Sequence, residues 1–146
     1  LNPDIVIFGK KSQICGIMTN DKYSEAIHSQ YRKLEVTFDG DIIDAVRAEY
    51  IIKAIEDHSL LNNVKNKSEI FRNELSERFE NYRSIGHLIA FDFSNKQKRD
   101  RFVSNAYSHK LLVNPTDERS VRIRPNLAFS NNELDNLMTI INKIVS

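Results

Sequence analysis

The sequence predicts an α/β chain in two parts, the end of one sheet-containing domain followed by a smaller α+β domain. Three features predict it. Two short apolar strand patterns open the chain with no helical stripe to cover them. Beyond residue 40 the patterns run α-α-β-α-β-β-α, which suits helices packed on one side of a small, partly antiparallel sheet. The chain has 146 residues, 40% of them hydrophobic, enough for a folded core. Residues 1–40 are expected to belong to the first domain and 41–146 to the second, with a helix at about 41–57 linking them.

Each element has a local reason. Asp4-Ile5-Val6-Ile7-Phe8 is an apolar run after Pro3, stopped by Gly9, and reads as a buried strand. Ile14 to Met18 reads as a second strand with Gly16 inside it, a place where another group can approach the backbone closely. Cys15 is expected to pack within that strand. Asn20 to Phe38 is polar and weakly periodic, a loop with at most one helical turn. Asp41 can cap a helix to Asp57, whose Ile43, Val46, Tyr50 and Ala54 form a wide stripe for a well-buried helix. A second helix is expected over 62–82, with Val64, Phe71, Leu75 and Phe79 inward. His87 to Phe93 alternates as a strand. Lys96 to His109 reads as a helix with Phe102, Val103 and Ala106 inward and a solvated basic cluster over 96–101. Leu111-Leu112-Val113 and Ser120 to Arg124 are expected strands around a turn with Pro115 and Asp117. Ser130 and Glu133 have capping-box spacing before a last helix with Leu134, Leu137, Met138, Ile141 and Val145 on one face.

Composition excludes several classes. Lys plus Arg number 21 against 20 Asp plus Glu, so the net charge of +1 offers no general footprint for nucleic acid or anionic membranes. No apolar run approaches the roughly 18 residues that span a bilayer. The single cysteine excludes an internal disulfide and suits a reducing compartment, so a cytoplasmic location is expected. His28, His58, His87 and His109 lie too far apart in sequence for paired ligand spacing, and no metal site is expected.

The chemistry-bearing segment follows the first strand. In Phe8-Gly9-Lys10-Lys11 a lysine next to glycine at a strand end can sit at a pocket edge, where its free amine could form an imine, although two lysines after a strand by themselves read as a solvated turn. Residues 3–16, reading PDIVIFGKKSQICG, resemble the cofactor-lysine segment of the class III aminotransferases, pyridoxal-phosphate enzymes of fold type I. Within that class the wording is nearest to enzymes acting on the ε-amino group of L-lysine. The resemblance continues through Val36-Thr37-Phe38-Asp39-Gly40-Asp41, through Arg83-Ser84-Ile85-Gly86, and through Arg119-Ser120-Val121-Arg122-Ile123-Arg124-Pro125.

The resemblance implies that Lys10 is the Schiff-base partner of pyridoxal 5'-phosphate and the proton carrier, with Lys11 the alternative. It places Gln13 and Thr37 with the cofactor, Thr37 donating to the phosphate across a homodimer interface. Arg122 would hold a substrate carboxylate through a bidentate fork, with Arg124 beside it as the alternative and Arg119 a solvated turn charge. Asp39 stands where the family has a small glycine, and Asp41 adds a second charge; both oppose phosphate binding unless they point away. In this family the Asp that pairs with the pyridine nitrogen lies upstream of the lysine segment, so the chain is expected to be the C-terminal third of the enzyme. The implied reaction moves the ε-amino group of L-lysine to 2-oxoglutarate. An ornithine- or 4-aminobutyrate-type reaction and a non-catalytic small domain are the alternatives.

Overall fold

A computed structural model describes residues 2–29, Thr37 and residues 40–145. The chain divides into two compact units, Leu1–Asp57 and His58–Ser146.

In the first unit, β1 (Ile5–Phe8) and β2 (Gly16–Thr19) pair antiparallel, Ile5 opposite Thr19 and Phe8 opposite Gly16. A Cβ on Gly16 would run into the Phe8 ring, so glycine is what lets the two strands close. The strand begins later than expected. A 3-10 turn over Lys10–Ser12, followed by Gln13 in the left-handed region, carries the chain around, and pairing resumes only at Gly16. Cys15 therefore lies outside the strand and is exposed, contrary to the packing role expected for it. The Asn20 amide donates to Asp4 Oδ1 at 2.7 Å and ties the open end of the hairpin.

The expected loop after residue 20 contains a full α-helix, α1 (Asp21–His28). Tyr23 and Ile27, one turn apart and both half-buried, give it an inner edge too short to stand out by period. Residues 30–36, 38 and 39, which carry the rest of that loop and most of the Thr37 turn, lie outside the described residues. Next comes α2 (Ile42–Asp57), with Asp41 as its cap: its Oδ1 accepts from the backbone N–H of Ile43 at 2.8 Å and of Asp44 at 3.2 Å. The expected deep burial of α2 is not observed. Only Ala48 is buried, while Ile42 is 77% exposed and Ile43, Val46, Tyr50 and Ile52 are also exposed. An apolar stripe marks a face that can be covered, and the described residues of this unit do not cover it.

In the second unit, α3 (Leu60–Leu75), β3 (Glu80–Ile85), β4 (Leu88–Asp92), α4 (Lys96–Ser108), β5 (Asn114–Thr116), β6 (Ser120–Ile123) and α5 (Asn131–Val145) follow in order. The strands form one sheet in the order β3-β4-β6-β5, antiparallel throughout rather than in part. Ile89, Phe91, Val121 and Ile123 point to one face of the sheet. They join Phe71 and Leu75 of α3, Phe102 and Ala106 of α4, and Leu134, Leu137 and Ile141 of α5 in a single core.

Three expectations fail here for local reasons. The helix expected to reach residue 82 stops at Leu75. Arg78 and Phe79 both donate to the Leu75 carbonyl in a turn, and this keeps Phe79 at core spacing without continuing the helix. Phe79 stacks on Phe91 at 4.0 Å between ring centroids. β3, masked by that false continuation, carries a bulge between Glu80 and Arg83 with Asn81 at φ 49°. The strand expected at 111–113 is displaced to β5, because the Leu111 N–H is taken by the Ala106 carbonyl at the end of α4. Pro115 lies inside β5, tolerated because β5 is an edge strand. The basic cluster is not uniformly solvated. Arg99 is buried, donating to Asp100 Oδ1 at 2.6 Å and to the Asp117 carbonyl at 3.1 Å.

Other expectations hold in detail. The Ser130 N–H donates to Glu133 Oε2 at 2.7 Å and the Glu133 N–H to Ser130 Oγ at 3.2 Å, the reciprocal capping box at the head of α5.

Candidate active site

Lys10 follows Gly9 at the end of β1, and its backbone is unusual for lysine, with φ at 63°. A residue bearing a Cβ costs on the order of 1–2 kcal/mol there. The conformation is held by Gln13, whose backbone N–H donates to the Lys10 carbonyl at 3.1 Å and whose side-chain amide donates to the same oxygen at 3.3 Å. Gln13 thus acts on the backbone of Lys10. A Cβ on Gly9 would stand 2.9 Å from Cys15 Sγ and would require that side chain to move. The Lys10 side chain is exposed, as is that of Lys11. These features fit the tether end of pyridoxal phosphate: an accessible primary amine on a backbone locked at a strand end.

Thr37 is exposed in a turn. Gln13, Ile14 and Cys15 face the start of α2 across a cleft of about 520 Å³ that also takes in Asp41, Asp44 and Glu49. The Asp41 carboxylate is engaged as the cap of α2. Lys10 and Gln13 come together in the first unit, whereas Arg122 belongs to the second.

Arg122 lies on β6, opposite Ala90 of β4 and Asn114 of β5. Its neighbours Val121 and Ile123 point into the core, so Arg122 projects from the opposite face of the sheet. Its Nε is sealed from solvent and has no hydrogen-bond partner among the described residues, a donor in want of an acceptor. A carboxylate is the ligand for which a guanidinium fork is shaped. Arg124 lies beyond the strand end and is exposed. Arg119 is not a free turn charge: it pairs with Glu80 at 3.2 Å and with Asp92 at 3.7 Å.

Sequence reasoning missed the group beside Arg122. Asp92 is 8% exposed and accepts from Ser120 Oγ at 2.6 Å, from Arg83 Nη1 at 2.9 Å and from Asn81 at 3.2 Å. The Ser120 hydroxyl above all, helped by Arg83 and Asn81 against the opposing pull of burial, holds its carboxyl at about 2. The available signal was an acid closing the apolar strand Leu88-Ile89-Ala90-Phe91-Asp92.

His87 is the second buried titratable group. It is wedged edge-on against Phe71 and Phe129 and bonded through Nδ1 to the Asn126 carbonyl at 3.0 Å. Burial, foremost, holds it below its ordinary value of 6.5. The unfolded chain therefore takes up the His87 proton first, and stability falls as pH drops below about 6.5. The Asp92 contribution is complete above its ordinary value of 3.8 and is lost as pH falls toward 2. We expect stability to fall in two stages, one below about pH 6.5 from His87 and one below about pH 3.8 from Asp92. In chemical denaturation across pH, His87→Leu removes the upper stage and Asp92→Asn the lower; a single unchanged slope in either variant refutes the assignment.

Lys10 at the end of β1 offers an accessible amine, and Arg122 on β6 a guanidinium donor with no partner among the described residues. A family model described as aminotransferase class-III matches residues 1–145, and the chain belongs to that family. It is 31% identical to the L-lysine-epsilon aminotransferase of Amycolatopsis lactamdurans, over 92% of this chain and 32% of that one. It is 29% identical to the 4-aminobutyrate aminotransferase of Schizosaccharomyces pombe, over 98% of this chain and 31% of that one. Among solved structures, the lysine aminotransferase of M. tuberculosis superposes with a TM-score of 0.90 at 28% identity, covering 100% of this chain and 37% of that one. The chain spans about a third of the length of the curated relatives it matches. No helix of the described residues is long and apolar enough to cross a membrane.

Proposed function

We propose that this chain forms the lysine-tether and small-domain portion of a pyridoxal-phosphate transaminase. The enzyme moves the ε-amino group of L-lysine to 2-oxoglutarate, giving 2-aminoadipate 6-semialdehyde and glutamate. The observation that carries the reading is Lys10, an accessible amine held at φ 63° directly after Gly9. When bound, pyridoxal phosphate supplies an electron sink for the charge left on the substrate carbon. Lys10 anchors the cofactor through its Nζ. With the cofactor bound, that Nζ would also be the amine placed to accept and return a proton at the substrate carbon. Gln13 keeps the Lys10 backbone in place, and Arg122 orients the substrate by its carboxylate. The Thr37 hydroxyl donates to the cofactor phosphate of the partner protomer in a homodimer, and residues 1–40 and 41–146 serve as the tail of the cofactor domain and the small domain. The single cysteine suits a cytoplasmic enzyme.

Borohydride reduction of the holoenzyme should leave the pyridoxyl label on the peptide bearing Lys10, and a label on any other peptide defeats the proposal. A donor panel of L-lysine, ornithine and 4-aminobutyrate should favour L-lysine; preference for ornithine would replace the donor assignment while keeping the chemistry. Arg122→Lys should raise KM for L-lysine about tenfold with little change in unfolding free energy, because an ammonium cannot reproduce the fork. Unchanged KM values would remove Arg122 from the site.

A further inference from the structure

The outward face of the sheet in the second unit is ordered by register. Arg83 of β3 stands opposite Ala90 of β4, and Ala90 stands opposite Arg122 of β6, so the two arginines share a face with a single alanine between them. Their backbones are two strand spacings apart, about 10 Å. One step along the same face lie Asp92 and Ser120, also opposite each other. Arg83 is turned toward that step. Its Nη1 donates to Asp92 Oδ1 at 2.9 Å and to the Asn81 carbonyl at 2.9 Å, and its Nη2 to Ser120 Oγ at 3.3 Å. Arg119 and Glu80 complete the cluster through their own pair and the Arg119–Asp92 contact. The cluster holds two arginines and two carboxylates, so its charges cancel, whereas Arg122 enters none of these pairs and keeps a sealed Nε donor.

We propose that Asp92 is a specificity-determining residue of this face: by holding Arg83 it leaves Arg122 as the one unpaired guanidinium of the two, and so fits the face to a substrate end bearing one carboxylate. The inference rests on the reading of Arg122 as the carboxylate anchor and adds the reason a second carboxylate gains nothing here. Arg83 is half exposed, with 52% of its side chain open to solvent, so it is the pairing with Asp92 rather than burial that withholds it. The residue between them on the sheet, Ala90, carries no charge of its own. Without the Asp92 charge, the face would carry two unpaired arginines, Arg83 and Arg122, a pairing suited to the two carboxylates of a diacid.

The test measures competitive inhibition of the holoenzyme against L-lysine by two probes of equal carbon count, pentanoate and glutarate. Asp92→Asn keeps the shape and the Ser120 contact but removes the charge. It should tighten glutarate about fivefold and leave pentanoate within twofold, and Asp92→Asn with Arg83→Gln should return the ratio to the wild-type value. An unchanged ratio in Asp92→Asn, or a gain that survives loss of Arg83, overturns the proposal. Arg83→Gln alone, which leaves Asp92 held by Ser120, should change neither inhibitor by more than twofold. A selective loss of glutarate in that variant shows that Arg83 already serves ligands, and overturns the proposal without recourse to Asp92→Asn. Arg122→Lys separates the two readings. If it leaves pentanoate binding unchanged, the anchor and this inference fall together; if it weakens pentanoate while the Asp92→Asn ratio stays fixed, only the inference falls.

Discussion

Lys10→Ala should lower turnover of the holoenzyme by about 10³-fold or more, because the proposed function gives one amine both the cofactor tether and the proton transfer. The fold should hardly notice. The Lys10 side chain is exposed, and its structural work is done by its carbonyl, which accepts from Gln13 in any variant. Alanine meets the same left-handed backbone at φ 63° as lysine does, so the strain is unchanged. Lys10→Gly removes the amine and the strain together. Steady-state assays with L-lysine and 2-oxoglutarate, paired with thermal unfolding, separate chemistry from folding. Activity within tenfold of wild type in both variants would show that Lys11 or another amine does the work.

The largest stability effect is expected at Phe91, in the middle of β4. Its side chain has no solvent exposure and stacks on Phe79 at 4.0 Å, with Phe93 and Phe102 edge-on at 5.9 Å. β4 lies between β3 and β6, so a cavity there loosens both strand pairs. Phe91→Ala should cost about 3–5 kcal/mol, a large part of the 5–15 kcal/mol that holds a typical domain. The transition of the second unit should fall by roughly 15 °C or more. Phe91→Leu, which refills most of the volume, should lose less than half as much. A Phe91→Ala cost below about 1 kcal/mol would mean that the aromatic cluster is not packed as described.

The elements legible in the sequence were those with a local signature. Asp41 announces α2 and the Ser130–Glu133 box announces α5, since a cap is a contact between near neighbours. Gly9-Lys10 at the end of an apolar strand reads locally as an ordinary turn, and Lys10 was singled out only through the family resemblance; the φ of Lys10 and the role of Gln13 in holding it were not legible. What stayed hidden was decided at a distance. Phe79 continues the helical spacing of α3, yet the turn at Leu75 and the stacking on Phe91 decide its place. The apolar stripe of α2 states what the helix can bury and nothing about what meets it. The cluster of Arg83, Asp92 and Ser120 joins three strands, and no spacing within one segment reveals it. Arg122 was found through a resemblance; its orphaned Nε is a property only the sheet displays.

Both margins of the four-stranded sheet are spoiled as templates. On one side the kink at Asn81 throws the ladder of β3 out of step; on the other, Pro115 has no N–H to offer from β5. A stray strand arriving at either margin finds an interrupted row of donors and acceptors, so the sheet resists edge-to-edge growth into aggregates.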